Sequence, residues 1–185
     1  MPQPDTPAIS KLVLEFCHFP LQAQMVTINR AGMPVGRTLG ADLKQDYSVD
    51  LLTFPHFWRV KHLRRNPQML LIWVEGKQPG YIYPRAVFAR GSAQILEGDP
   101  IVELYGERVA KGDELPHIVR PDMTFKEPRI LEPEEVRQRM CVIRFSIDEI
   151  RAEGFSAGEG PLERRELLKA VTWRPGSRGA TDVSG

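Results

Sequence analysis

Residues 52–67 read LTFPHFWRVKHLRRNP, and the rest of the chain is organised around them. The stretch begins as the end of an apolar, partly β-branched run (Val49, Leu51, Leu52, Thr53), breaks at Pro55, and restarts as a short basic helix closed by Asn66 and Pro67. A strand end, a tight connection and a cationic helix start together make an anion site. Unpaired backbone N–H groups at a helix N-terminus attract a phosphate, and Arg59 on the first turn can fork onto its oxygens.

The 185 residues suffice for one domain with a substantial core and not for two. Hydrophobic residues make up 42% and charged residues 26%, an ordinary balance for a globular domain, and a net charge of +1 gives no global field for nucleic acid. Anion binding must therefore be local. Cys17 and Cys141 supply neither a disulfide framework nor a CxxC pair, so free thiols in a reducing compartment are expected. The opening MPQPDTPAIS lacks a basic segment followed by an apolar run, and no stretch reaches eighteen consecutive apolar residues; a cytoplasmic protein without a membrane partner is expected.

Outward from the central stretch, Thr6-Pro7 reads as a helix start. Ile9, Leu12, Val13, Phe16 and Phe19 recur at helical spacing up to Pro20. Residues 25–41 read as a β-hairpin turning at RAGMP, and SVDLLTF as a third strand. Beyond Pro67, QMLLIWVE predicts a strand buried on both faces, GKQPG a turn, and YIYPRAVFARGSAQIL a long strand bent at Pro84 or Gly91. DPIVELYGERVAKG is helical, with an aspartate cap and an apolar face. Residues 113–133, with four prolines, predict an irregular excursion, and MCVIRFSIDEI a last strand that closes a barrel. A helix around 162–171 and a mobile tail, SRGATDVSG, complete the reading. The organisation expected is an N-terminal helix over 1–20, a barrel over 21–150 and a C-terminal helix and tail over 151–185. Strands in close succession with one short helix among them favour a small antiparallel barrel over a parallel α/β sheet.

The strong phosphate motifs are absent: no GxxxxGK[ST] loop and no GxGxxG follows a strand, which argues against a P-loop nucleotidase and a Rossmann dehydrogenase. HExxH does not occur, the single GxSxG match, GFSAG at 154–158, reads as a loop, and His18, His56, His62 and His117 are scattered. His56 and His62 can approach one another along the basic helix, but with no carboxylate at matching spacing they read as a solvated face. His56, at the strand–helix junction, is placed to touch a ligand. Cys17 and His18 are adjacent and cannot readily point at one metal from a helix, so no metal site is expected. Arg37, Arg59 and Arg85 stand out: strand neighbours in a small barrel would let the three converge on one phosphate.

GMPVGRTLG, then LLTFPHFWRVKHLRRNP, then a strand carrying RAVFARG together resemble the flavin-binding split barrels related to pyridoxamine 5′-phosphate oxidase. The resemblance covers about residues 24–96, with 141–150 as a last strand. It implies a six-stranded antiparallel split β-barrel with flanking helices, a homodimer, and FMN held between the subunits. In that family a G-x-P-x-x-R strand supplies an arginine to the FMN phosphate, matched by Gly32, Pro34 and Arg37. Thr53 matches a threonine that meets the cofactor, and Asn66-Pro67 the pair that ends the following helix. Implied cofactor-binding residues are Arg37, Thr38, Leu39, Leu52, Thr53, Trp58, Arg59 and Arg85.

The chain departs from the family in three places. Trp58-Arg59 stands where the family commonly has Arg-Lys, Arg85-Ala86 where the oxidase has Arg-Gln, and VTWRPG offers only Trp173 and Arg174 in place of the oxidase's C-terminal arginine and histidine. These departures argue against vitamin B6 oxidation. Trp58 is suited either to stacking on a flavin-like ring or to filling a dimer interface. The expectation is an FMN-dependent oxidoreductase acting on a small molecule. The alternatives are a reductase using the deazaflavin coenzyme on the same fold, or a flavin- or haem-binding protein without turnover.

Overall fold

The computed structural model describes residues 8–18, 21–76, 85–111, 130–155, 170–175 and 181–183. A six-residue helix, α1 (Lys11–Phe16), precedes a hairpin of β1 (Gln22–Ile28) and β2 (Pro34–Gly40). The hairpin turns because the Asn29 side chain accepts hydrogen bonds from the backbone N–H of Ala31 at 2.9 Å and of Met33 at 3.0 Å, while Gly32 takes a φ of +78°. β3 (Ser48–Thr53) leads into α2 (Trp58–Arg65), and β4 (Gln68–Val74) and β5 (Ala86–Leu96) follow. Then come α3 (Asp99–Lys111), α4 (Pro133–Arg139), the 13-residue β6 (Cys141–Glu153), β7 (Ala170–Trp173) and β8 (Thr181–Val183).

All pairings are antiparallel, in the order β2-β1-β4-β5-β6-β7-β8, and β3 joins the first half of β6 on the edge whose second half takes β7. β6 is thus the strand on which the sheet splits. Its inward residues are Cys141, Ile143, Phe145 and Ile147, and then the phase slips to Ile150 and Ala152. The slip matches a bulge where Arg90 pairs with Glu149 but Gly91 with Ile147. Gly91 is needed there: a Cβ would stand 2.1 Å from the Ser146 carbonyl oxygen.

The barrel interior collects alternate residues: Ala23, Met25 and Thr27 of β1, Met69, Leu71 and Trp73 of β4, Val87 and Ala89 of β5, and the inward row of β6. α2 lies against β5 and β1 and closes this core with Val60 and Leu63. A second apolar cluster forms where α3 and α4 cover the other face of β3, β5 and β6, built on Ile101, Tyr105, Leu131, Val136, Met140 and Val142.

The hairpin, the third strand, the basic helix with its Asn66 end and the bend at Gly91 stand where the sequence predicts them. Six strands are present as expected, with β7 and β8 added; within the hydrogen-bonded order the sheet does not close on itself. β4 is not buried on both faces. Met69, Leu71 and Trp73 are buried, Leu70 and Ile72 only partly, because the helices that cover an outer face lie over β3, β5 and β6. Leu12 is 38% exposed and leaves the predicted apolar face of α1 to Ile9, Val13 and Phe16. Of the helix expected over 162–171, the end is strand: Ala170 and Val171 belong to β7 and extend the sheet from β6. Within the tail read as mobile, Thr181–Val183 form β8. The Thr6-Pro7 start, Phe19, Pro20, most of the GKQPG turn, Pro84, His117 and the bulk of the 113–133 excursion lie outside the described residues. α4 begins at the end of that excursion. It is not among the predicted elements, yet its N-terminus carries a capping box between Glu132 and Glu135 with Pro133 at the first turn.

Candidate functional site

Thr53 is the last residue of β3, pairs in register with Cys141, and is 2% exposed on the inner side of the barrel. Pro55 stops the strand and the chain turns, the Phe57 N–H bonding to the Phe54 carbonyl at 3.2 Å. α2 then starts at Trp58 with no side chain capping it, which leaves its first N–H groups available. Arg59 folds back from the first turn onto Thr53. Its Nε donates to Thr53 Oγ1 at 3.0 Å and its Nη2 donates to the same oxygen, while the guanidinium lies over the Phe57 ring, 4.5 Å from the centroid.

Arg59 is half-buried, and burial lowers its pKa to about 10, helped by the charge of nearby Arg37. Among the described residues neither arginine pairs with a carboxylate. A partly desolvated cation beside a second cation is unfavourable by itself and is relieved by an anion between them. Arg37 comes from the middle of β2 opposite Met25, so it projects on the same side of the hairpin as Leu39; Thr38 projects from the other side and accepts a hydrogen bond from Gln24 Nε2 at 2.5 Å. Leu52 likewise alternates with Thr53 and packs its side chain into the cluster under α3 and α4.

The sequence predicts that Arg85 converges with Arg37 and Arg59; the structure places it elsewhere. It precedes Ala86, whereas Thr53 and Arg59 lie near the Leu96 end of the same strand, across the length of β5. There Arg85 forks onto Glu75, at 3.0 Å from Nε and 2.7 Å from Nη2, and stacks its guanidinium over Phe16 and Phe155. The Glu75 carboxyl is held below the usual range by hydrogen bonding from Arg85. Arg85 thereby ties α1 and the end of β6 to the β4–β5 edge.

His56 and His62 do not meet. His56 lies in an aromatic group with Phe54 and Phe57, at centroid separations of 5.7 and 4.8 Å. His62 Nδ1 shares a hydrogen bond with the buried Thr27 Oγ1 at 3.1 Å, and its ring lies 4.9 Å from that of Trp58. Desolvation, and then the charge of Arg65, lower its pKa and favour neutral imidazole. Thr27, through His62, and the rings of Phe54 and Phe57 stand beside α2 with no sequence expectation attached to them, whereas His56, which the sequence places to touch a ligand, lies against those two rings. The signal for Thr27 is a polar residue in the inward phase of β1. At the other end of α2, Arg64 pairs with Glu97 beside an open cleft of about 570 Å³ between Leu63 and the strand residues Ala93, Gln94 and Ile95.

Among the described residues no three of His, Cys, Asp or Glu are grouped to hold a metal. Cys17 and Cys141 are both free and buried, and burial pushes the Cys141 thiol up to about 11. His18 turns away from Cys17 to Asp42, 2.9 Å from Nδ1 to Oδ1. No helix among the described residues is long and apolar enough to cross a membrane.

The sheet is a split barrel of antiparallel strands, with Arg37 near Arg59 at the start of its short helix. No family model matches the sequence, and no curated protein does. Solved structures do. A pyridoxamine 5′-phosphate oxidase-related, FMN-binding protein from Nostoc punctiforme aligns with a TM-score of 0.59 at 16% identity, over 94% of this chain and 91% of that one. PhzG from Burkholderia lata, solved with tetrahydrophenazine-1-carboxylic acid, aligns at 0.58 and 13% identity over 90% and 83%. An F420 reductase aligns at 0.51 and 14% identity over 74% and 93%. The fold is that of the split barrels related to pyridoxamine 5′-phosphate oxidase, as residues 32–40 and 52–67 predict.

Proposed function

We propose that this chain binds FMN and acts as an oxidoreductase on a small molecule. The observation that carries the reading is Arg59: a half-buried guanidinium next to Arg37, with no carboxylate paired to either among the described residues. Such a pair fits a phosphate, and the named FMN-binding neighbour shares the fold. Arg37 and Arg59 would hold the phosphate, Leu39 and the backbone of Thr38 and Leu52 would line the ribityl chain and ring, and Trp58 would offer its indole face. Thr53 stays within this set through its contact to Arg59. Arg85 is left out of the set, because Glu75 occupies it.

When bound, FMN supplies the electron and hydride chemistry of its isoalloxazine ring. The chain's own contribution would be orientation and electrostatics: Arg59, held by Thr53, and Arg37 at the phosphate end, with the aromatic side chains of Phe54, Phe57 and Trp58 nearby on and before the basic helix. The flavin-binding unit is proposed to be residues 21–150, flanked by the segments 1–20 and 151–185, in a cytoplasmic homodimer with the cofactor between subunits.

A reductase using the deazaflavin coenzyme is the second reading, favoured by the F420 reductase among the structural neighbours and by the same phosphate chemistry. An absorption spectrum of the purified protein, with mass identification of what denaturation releases, decides between them. Bound flavin that neither NADH, NADPH nor reduced deazaflavin will reduce marks a carrier in place of an enzyme.

A further inference from the structure

We propose that Thr53 is a positioning residue, which fixes the edge of Arg59 that meets the anion and does not itself carry the cofactor. The inference rests on the reading of Arg37 and Arg59 as a phosphate site. A guanidinium has five N–H donors and two edges able to grip a pair of oxygens, one formed by Nε with Nη2 and one by Nη1 with Nη2. In this chain the first edge is closed. Nε and Nη2 both donate to the single hydroxyl oxygen of Thr53, which is 2% exposed and anchored by strand pairing to Cys141. The Phe57 ring, 4.5 Å away, covers one face of the guanidinium. What remains for an anion is the outer edge, Nη1 with the second Nη2 proton, on the side of the group left open.

Two consequences distinguish this from direct contact. Removing the hydroxyl releases a long, rotamer-rich side chain, so anion affinity falls although no contact to the anion has been removed. The loss vanishes once Arg59 itself is gone. A hydroxyl that touched the cofactor would matter whether or not Arg59 were present.

The test is a double-mutant cycle. Apoprotein with Thr53→Val, Arg59→Ala, both, or neither is titrated with FMN and with riboflavin, which lacks the phosphate, by flavin fluorescence. Thr53→Val is expected to weaken FMN about tenfold, on the scale of a hydrogen bond to a charged group, and riboflavin not at all. Thr53→Ser, which restores the hydroxyl, should return FMN affinity to within about twofold of the parent. The double variant should bind FMN no more weakly than Arg59→Ala alone. An equal loss in the Arg59→Ala background, an equal loss for riboflavin, or no loss overturns the assignment. Should the valine variant fail to fold, Thr53→Ala takes its place in the cycle. If wild-type protein binds no FMN, the flavin reading falls alone. Inorganic phosphate titrated calorimetrically into wild-type and Thr53→Val protein then decides the matter: weaker phosphate binding in the variant supports the positioning role, and equal binding or none overturns it.

Discussion

Arg85 faces Glu75 across the ends of β4 and β5, two parallel hydrogen bonds at 3.0 and 2.7 Å, with Phe16 and Phe155 under its guanidinium. This relationship removes Arg85 from the anion site. Arg85→Ala is therefore expected to leave FMN affinity within about twofold of wild type while lowering stability by about 1 kcal/mol, since the pair is partly exposed but the stacking adds to it. A flavin titration beside a thermal melt checks both halves. A large loss of FMN affinity with an unchanged melt would return Arg85 to the site.

Gly91 and the Ser146 carbonyl set the second expectation. A methyl group at position 91 would stand 2.1 Å from that oxygen and 2.9 Å from the Ile147 Cα, all backbone, with nothing flexible to yield. Gly91→Ala should cost about 3 kcal/mol or more, or abolish folding, because it disrupts the bulge that re-phases β6. Gly36→Ala on exposed β2, where a Cβ meets nothing within 4 Å, serves as the control and should shift the urea midpoint little.

Much of this architecture is written in local signals. Pro55 and Asn66-Pro67 bracket α2, alternation marks β1, and apolar runs mark β3 and β4, so those elements sit where the sequence puts them. The phase slip of β6 is visible only in hindsight, as Ile147 and Ile150 three apart in CVIRFSIDEIRAE. Its cause is a register shift against β5, which is a tertiary fact. The position of Arg85 is tertiary in the same way: strand neighbourhood says nothing about which end of an 11-residue strand carries the site. β7 was hidden because four residues, AVTW, fit a helix face as readily as a short strand, and pairing to β6 settles it. Within the site, alternation along β2 and β3 separates Arg37 from Thr38 and Thr53 from Leu52, a distinction available from period alone.

Acid stability follows from Asp50. Burial would raise its pKa, but hydrogen bonds and charge from Arg144 (2.8 and 3.1 Å) and Lys44 (2.7 Å) outweigh burial and hold it below its ordinary 3.8. Because the folded value is the lower one, the unfolded chain takes up the proton first. The stabilisation is complete above about pH 4 and is lost as pH falls through the folded value. Urea midpoints between pH 6 and pH 2 should drop steeply below 4 in the wild type, and Asp50→Asn should be less stable at pH 6 with a flatter acid limb. Parallel acid limbs would remove Asp50 from this role.

Thiol chemistry offers an independent check of burial. Cys141 is fully buried, with its pKa pushed up to about 11, and Cys17 is shifted in the same direction. Native protein at pH 7.5 should react with a thiol-titrating disulfide reagent far below one equivalent, rising to two on denaturation. Prompt reaction of one thiol in the native state would contradict the core around β6.

The claim on which the functional reading stands is that Arg37 and Arg59 hold a flavin phosphate. Its most direct measurement is the absorption spectrum of freshly purified wild-type protein beside Arg59→Ala, with mass identification of any released cofactor and FMN titration of both apoproteins. The account predicts flavin bands with FMN released from the wild type, and a loss of affinity in the variant of about 2 kcal/mol, close to thirtyfold, as expected for a charge-assisted, partly buried bond. A colourless wild type that takes up no FMN, or FMN bound equally well without Arg59, would contradict it.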